Sequence, residues 1–208
     1  MRKAFISYHH ADDQDFKDAL SIFGEMHGCF EDCSVQVGDI DDDDRSSQRI
    51  REIIRDEYLR DTEVTILLCG AETRGRKHVD WELKSSMIDG KLNSRSGVLV
   101  VNLPTANSSA WTAALPGEKE HIYPDHFGEW MSVNSETAYR ERYPRMPARI
   151  IDNLLSPKAL ISVVQWDYVY GNAPALKWLI EMTAQVGPKN EYDLSRKMRR
   201  QNSSKGFY

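Results

Sequence analysis

The sequence predicts an α/β fold with a central parallel sheet and helices on both faces. Short apolar runs of β type alternate three times with segments of helical period before residue 104, which is the signature of a parallel sheet with crossover helices. Residues 62–69 (TEVTILLC) form a near-continuous apolar run, which is typical of a central strand covered on both faces. The 208 residues are 40% hydrophobic and 28% charged, which suits one globular domain with a full core.

The first two strands and the helix between them follow from local patterns near the N-terminus. Residues 3–8 (KAFISY) form a short run of β type, and the polar turn HHADDQ after it supplies candidate helix caps. Phe16, Leu20 and Phe23 recur at i, i+4 and i+7, which describes one face of a helix. Residues 34–40 (SVQVGDI) predict the second strand.

The next helices and strands complete the alternating part of the chain. A second helix is predicted from an apolar stripe of four residues, Ile50, Ile53, Ile54 and Tyr58. Residues 62–69 predict the third strand, which ends at Gly70. A third helix is predicted from another apolar stripe, Val79, Leu83 and Met87. Residues 97–103 (GVLVVNL) predict the fourth strand, which Pro104 closes.

After the fourth strand the alternation stops. Residues 105–147 are rich in proline, aromatic and polar residues without a clear period, and we expect so long an insertion to have local order and a role. Residues 159–166 (ALISVVQW) predict a late strand, and residues 173–184 predict a closing helix. We therefore expect one domain over residues 1–186 and a basic, solvated and frayed tail over residues 187–208.

Composition excludes several classes of function. The net charge of −5 argues against a dedicated nucleic-acid binder, and no apolar run approaches the length of about 18 residues that a membrane span needs. The N-terminus shows no cleavage pattern of a signal peptide. Three cysteines, an odd number, favour reduced thiols in the cytoplasm, and Cys29 and Cys33 lack the second Cys/His pair of a zinc site. We therefore expect a cytoplasmic protein without a metal site.

A ligand site is predicted at the carboxyl ends of the strands, where open parallel sheets bind ligands. These ends read SYHH after the first strand, GDID after the second and CGAETRGRKH after the third. If the three strands are neighbours, their loops share one rim. The residues near this crevice are then Ser7, Tyr8, His9, Asp39, Arg74, Arg76, Lys77 and His78.

Glu82 is the candidate acid of this crevice. It follows His78 by four residues, so that both side chains share one face of the third predicted helix. It also lies near the start of that helix, where backbone N–H groups and the dipole favour an anion. A Glu in a first turn is equally ordinary helix design, and a basic loop is equally a solvated surface. The cluster RGRKH before the helix favours function, because loop and helix start together could hold a pyrophosphate.

Several familiar motifs are missing from the sequence. No G-x-G-x-x-G follows the first strand, and neither a P-loop nor a G-x-S-x-G nucleophile elbow is present. The acidic run over residues 41–44 (DDDD) lacks the spacing of an EF-hand loop and suits the start of a helix. His9 and His10 fit a solvent-facing turn better than a pair of metal ligands.

Three stretches together resemble the TIR-like domains of bacterial Thoeris antiphage systems, the ThsB family. They are AFISYHHADD, VGDIDDDD and TILLCGAETRGRKHVDWELKSSM, and the resemblance covers roughly residues 1–104. It implies a flavodoxin-like TIR fold that consumes NAD⁺, with the essential acid on the third helix, which falls on Glu82. Many TIR domains carry a Trp four residues before that acid, whereas this chain has His78 there and Trp81 beside the acid.

The resemblance also implies a reaction and partners. The reaction is cleavage of the nicotinamide–ribose bond of NAD⁺, followed by cyclisation to a cyclic ADP-ribose-type messenger, so NAD⁺ is a substrate and no cofactor is implied. Implied partners are other copies of the chain, through TIR self-assembly, and a separate NAD-depleting effector that the messenger activates. Neither nucleic acid nor a membrane is implied. The residues expected to bind NAD⁺ are Phe5, Ser7, Tyr8, Asp39, Arg76, His78 and Trp81.

Two other functions stay open at this point. The chain is either catalytic or a TIR scaffold that acts through protein–protein assembly alone. A receiver-like signalling domain is a weaker option, since it predicts an acidic pair at the end of the first strand, where Ser7, Tyr8 and His9 stand. For a catalytic chain, we expect the insertion over residues 105–147 to exclude water and so to favour cyclisation.

Overall fold

The computed structural model describes residues 1–34, 59–90, 94–126 and 133–203. Within these ranges, five strands form one parallel sheet in the order β2-β1-β3-β4-β5. The predicted α/β class with a central parallel sheet is therefore confirmed. The strands are β1 (Arg2–Ser7), β2 (Phe30–Asp32), β3 (Val64–Cys69), β4 (Gly97–Asn102) and β5 (Ser162–Gln165).

Seven α-helices surround the sheet in the described ranges. None of them combines the length and the apolar character needed to cross a bilayer. They are α1 (His10–Met26), α2 (Lys77–Ser86), α3 (Glu118–Ile122), α4 (Glu136–Arg142), α5 (Ala148–Leu154), α6 (Trp166–Val169) and α7 (Ala173–Val186). Short 3-10 turns lie at Thr73–Gly75, Pro104–Ala106, Pro124–His126 and Gly187–Lys189.

The central strand of the sheet is β3, as its apolar run predicts. All six of its residues are buried. It pairs with β1 on one side and with β4 on the other. Because all these strands are parallel, their carboxyl ends lie at the same rim of the sheet.

Helices cover both faces of the sheet, as predicted. Alternate side chains of a strand point to opposite faces. Ile66 and Leu68 of β3 pack in a buried cluster that includes residues of α1 and α7. Leu67 and Cys69 pack in a second cluster, which includes residues of α2 and α5. The core therefore lies in two layers, one on each side of the sheet.

The second strand lies earlier in the chain than predicted. Of the predicted strand over residues 34–40, Ser34 lies outside any strand and the rest falls outside the described residues. Asp39 and the predicted second helix fall there too. On the side of β1 away from β3, the paired strand is β2, which has only three residues and includes two acids. So short a strand has no apolar period that sequence analysis could detect.

Packing against α1 decides where β2 lies. Phe30 is fully buried in the core cluster of α1 and α7. Gly24 of α1 makes room for it, since a Cβ at this glycine would overlap the ring of Phe30. The close approach of helix and strand thus depends on a residue without a side chain.

The insertion over residues 105–147 shows the expected local order where it is described. It contains α3 and α4, and Thr112 forms an antiparallel bridge with Val163 of β5, with both N···O distances at 2.9 Å. The carboxylate of Glu118 is fully buried, accepts from the N–H of Leu115 at 2.9 Å and accepts from the hydroxyl of Ser162. These bonds fasten the insertion to the β5 edge of the sheet.

Residues 190–203, which we name the C-terminal strap, are not a frayed tail, so that expectation is wrong for them. Asn153 of α5 donates to the carbonyl of Asp193 at 3.2 Å and accepts from its N–H at 2.7 Å. The indole N–H of Trp81 in α2 donates to the carbonyl of Arg199 at 2.8 Å. The expectation of a frayed tail was based on the basic side chains of this segment. The strap docks through its backbone carbonyls, which composition does not reveal.

Candidate functional site

The centre of the candidate site is a hydrogen bond between β1 and α2. The hydroxyl of Ser7, the last residue of β1, donates to Oε2 of Glu82 at 2.6 Å. Ser7 is fully buried and lies on the same face of the strand as Phe5, which packs against Trp81 of α2. Ser7 and Glu82 were predicted at the same crevice, and in the structure they are in contact.

Glu82 lies farther into its helix than the sequence suggested. Because α2 begins at Lys77, Glu82 is its sixth residue and lies in the second turn, whereas the first-turn acid is Asp80. The effect of the helix dipole falls off within the first turn. Ordinary design of a helix start therefore does not explain Glu82, and its position is defined by the contact with Ser7.

Burial changes the titration of Glu82. It raises the pKa of the carboxyl from its ordinary 4.5 to about 7, while the hydrogen bond from Ser7 opposes this by stabilising the charged form. The side chain as a whole is partly exposed, whereas its carboxyl group is enclosed by protein. At neutral pH both protonation states are populated. A carboxyl perturbed in this way at a sheet rim is typical of functional sites.

The basic loop before α2 is held by several partners. Arg74 donates to the carbonyl of Pro144 in the insertion at 3.0 Å, and Arg76 donates from Nη2 to Glu72 at 3.0 Å. The Nε of Arg76 is buried and has no hydrogen-bond partner within the described part of the chain. Asp39, expected to approach from the second loop, lies outside the described residues.

Imidazoles and a tyrosine lie near the start of α1. Burial lowers the pKa of His10, and electrostatic repulsion from His78 and His9 lowers it further. Tyr8 belongs to the buried cluster on the α1 and α7 face. Its hydroxyl donates to Gln14 at 2.7 Å, and its ring centre is 4.2 Å from that of His10. Tyr8 thus faces α1, whereas Ser7 faces α2.

Phe5 and Trp81 lie in a packed layer next to the Ser7–Glu82 pair. They are 5% and 4% exposed and form a buried cluster with Leu59. The indole N–H of Trp81 is used by the C-terminal strap. Both aromatic residues therefore support the site as packed side chains.

Asp13, a buried acid that shapes the loop after β3, was not among the predicted site residues. Its carboxylate accepts from the hydroxyl of Thr73 at 3.4 Å and lies against Gly70, where a Cβ would overlap it. Burial raises the pKa of this carboxyl. A signal was present, because Asp13 precedes Phe16 by three residues and Leu20 by seven and so extends the apolar stripe of α1.

The fold and the site define the class of protein. The parallel sheet with helices on both faces has the architecture of a flavodoxin-like TIR fold. In this fold Glu82, on the helix after the central strand, contacts Ser7 at the end of β1. The family model described as "Thoeris protein ThsB, TIR-like domain" matches residues 5–108, which are 104 of the 208 residues. The chain therefore belongs to the ThsB family of Thoeris TIR-like domains. Membership supports a role in antiphage defence signalling.

The matched half of the chain carries the site. It extends from Phe5 of β1 to just beyond β4 and includes Ser7 and Glu82. Most of the insertion, β5, α7 and the C-terminal strap lie beyond the match. Comparisons with curated proteins and with solved structures give no match.

Proposed function

We propose that this chain is a TIR-type NAD⁺ nucleosidase and cyclase, which cleaves the nicotinamide–ribose bond and makes a cyclic ADP-ribose-type messenger in antiphage defence. Membership in the ThsB family supports this proposal. The observation that carries it is the Glu82 carboxyl at the sheet rim, to which burial gives a pKa of about 7 and which lies 2.6 Å from the hydroxyl of Ser7.

The chemistry of the reaction suits one carboxylate. Loss of nicotinamide leaves positive charge on the ribose, an oxocarbenium-like centre as in glycoside hydrolysis. A carboxylate against the ribose would accept hydrogen bonds from its hydroxyls and stabilise that charge. Because nicotinamide leaves as a neutral molecule, no general acid is required and the charged form of Glu82 is the active one. Ser7 favours this form, since its hydroxyl donates to the carboxylate.

Other residues around the rim would hold the rest of the dinucleotide. Arg76, with its buried Nε free of hydrogen bonds among the described groups, would bind the diphosphate. His78 would line the ribose and nicotinamide end, and Asp39 would approach from the second loop. Tyr8 would act from the core on the α1 side, by holding the end of β1 in place. Phe5 would act from the packed layer by keeping β1 and α2 in contact.

Which nucleophile captures the ribose cation decides the product. Capture by water gives ADP-ribose, whereas capture by an adenine nitrogen or a ribose hydroxyl gives a cyclic product. The insertion fastened to β5 would favour cyclisation by excluding water. In this proposal, self-assembly completes the site in the cytoplasm, and the messenger activates a separate NAD-depleting effector.

The test is release of nicotinamide by purified protein, with and without lysate of phage-infected cells. We expect Glu82→Gln to lower the rate by at least about 100-fold, the usual effect of removing one group that stabilises charge in a transition state. Glu141→Gln, an exposed position on α4, is the matched control and should keep full activity. Activity that survives Glu82→Gln would remove this residue from its role. Silence of the wild type in every condition would favour the non-catalytic scaffold.

A further inference from the structure

The C-terminal strap contacts α2 on the side away from Ser7. Asp80, two residues before Glu82, is 5% exposed and accepts from the backbone N–H of Arg199 at 2.8 Å. The strap also accepts the indole N–H of Trp81. Two residues correspond to about 200° around a helix, so Asp80 and Glu82 point in nearly opposite directions. The strap therefore contacts one side of α2, and Ser7 contacts the opposite side.

Asp80 is anchored by a buried ion pair. The guanidinium of Arg149 in α5 is fully buried and donates from Nε and Nη2 to the two oxygens of Asp80, at 3.0 and 3.1 Å. Both charges are therefore removed from water, a geometry that is stable only when the remaining donors and acceptors are also satisfied.

The strap supplies the remaining acceptors. Arg149 donates from Nη1 to the carbonyl of Arg196 at 3.1 Å and from Nη2 to that of Lys197 at 3.4 Å. Lys84 of α2 also donates to the carbonyl of Arg196, at 3.1 Å. Helix α2, helix α5 and the strap thus share one buried polar network around Asp80.

The end of the strap closes the start of α2. Asn202 accepts from the backbone N–H of Lys77 at 2.9 Å, and the N–H of Ser203 donates to the carbonyl of Gly75 at 3.0 Å. Arg76, the residue at the N-cap position, makes no capping bond with its own side chain. The strap therefore replaces a local cap and fixes the end of α2 that adjoins the basic loop.

We infer that Asp80 is a positioning residue, which acts with Arg149 and the C-terminal strap to hold α2 so that Glu82 stays against Ser7. The expected effect of Asp80 on catalysis rests on the proposed function, whereas its effect on the position of Glu82 does not. Loss of the network would let α2 rotate or shift away from β1. A misplacement of about 1 Å costs about 100-fold in rate, so we expect Asp80→Asn to lower kcat by about 10- to 100-fold with little change in KM.

The test measures the position of Glu82 without substrate. Carboxyl ¹³C NMR of glutamate-labelled protein reports the pKa of Glu82, which is about 7 while the helix is held. In Asp80→Asn we expect this pKa to fall towards the ordinary 4.5, because water reaches the carboxyl when α2 moves. Trp81→Phe keeps the ring but loses the bond to Arg199, so it should give a smaller fall in a protein that stays folded. Asp167→Asn, at an exposed position on α6, is the matched control and should change nothing.

The outcomes separate this inference from the proposed function. An unchanged pKa of Glu82 in folded Asp80→Asn and Trp81→Phe would overturn the positioning role, whether or not the chain consumes NAD⁺. A lowered pKa in both variants would support it even if no nicotinamide were released, in which case only the proposed reaction would fail. A loss of thermal stability alone, with the pKa of Glu82 intact, would show that the network is merely structural and would also overturn the role.

Discussion

Replacing Ser7 with alanine isolates the interaction that keeps Glu82 charged. The hydroxyl of Ser7 donates to Oε2 of Glu82 at 2.6 Å, so it stabilises the carboxylate and opposes the effect of burial. Without this donor the burial of Glu82 is unopposed. The pKa of Glu82 should therefore rise above its value of about 7.

The size of the effect follows from the strength of the bond. A hydrogen bond to a charged group contributes about 1.5–3 kcal/mol. Because about 1.4 kcal/mol corresponds to one pKa unit, the pKa of Glu82 should rise from about 7 to about 8–9. At pH 7 the charged fraction then falls from about one half to between about one tenth and one hundredth. If the carboxylate is the active form, the rate at this pH falls about 5- to 50-fold.

The assay is the pH dependence of kcat/KM for nicotinamide release, which reports groups of the free enzyme. In the wild type the rate should rise with pH through about 7, and in Ser7→Ala the same rise should occur at about pH 8–9. Above that pH the variant should recover most of its activity. Ser21→Ala, which removes a donor from a different carboxylate, Asp32, should leave the profile in place. A rise at the wild-type pH, or at lower pH, would refute the reasoning.

Two further predictions concern stability. Burial raises the pKa of Glu118 to about 7 in the folded chain, from an ordinary 4.5, so this group makes the wild type less stable as pH rises between these values. Glu118→Gln keeps an acceptor for Ser162 but cannot become charged. In denaturant titrations between pH 5 and 8, its unfolding free energy should therefore fall less than that of the wild type. An equal dependence of the unfolding free energy on pH in both proteins would contradict this. Gly24→Ala should lower the unfolding free energy by about 1–3 kcal/mol, because the new Cβ would overlap Phe30. A melting temperature that is unchanged or higher would show that the ring of Phe30 moves aside at little cost.

The sequence predicted the elements whose signal is local. The apolar run of β3 identified the central strand, and the stripe of Val79, Leu83 and Met87 identified α2 within a few residues of its bounds. The strand β2 was not predicted, because three residues that include two acids show no alternation of apolar and polar side chains. Its position depends on Phe30 packing against α1.

The candidate site was predicted only in part, for a similar reason. Strand ends placed Ser7 near the predicted crevice, because parallel strands share a rim, and helix spacing made Glu82 its candidate acid. The contact between the two residues is known only from the structure. The resemblance implied that Trp81 binds NAD⁺, and the structure places its indole N–H under the C-terminal strap. No role was predicted for Asp80, because its partners Arg149 and Arg199 lie 69 and 119 residues away in the sequence.

By itself, the sequence determined the α/β class, the order of the main elements and the acid at the rim, because apolar period and loop composition are properties of short segments. Only the tertiary structure decided that Ser7 touches Glu82 across 75 residues, that the basic C-terminal segment docks along α2, and that Arg149 is buried. These contacts join distant parts of the chain, and their energy depends on which donors and acceptors packing removes from water.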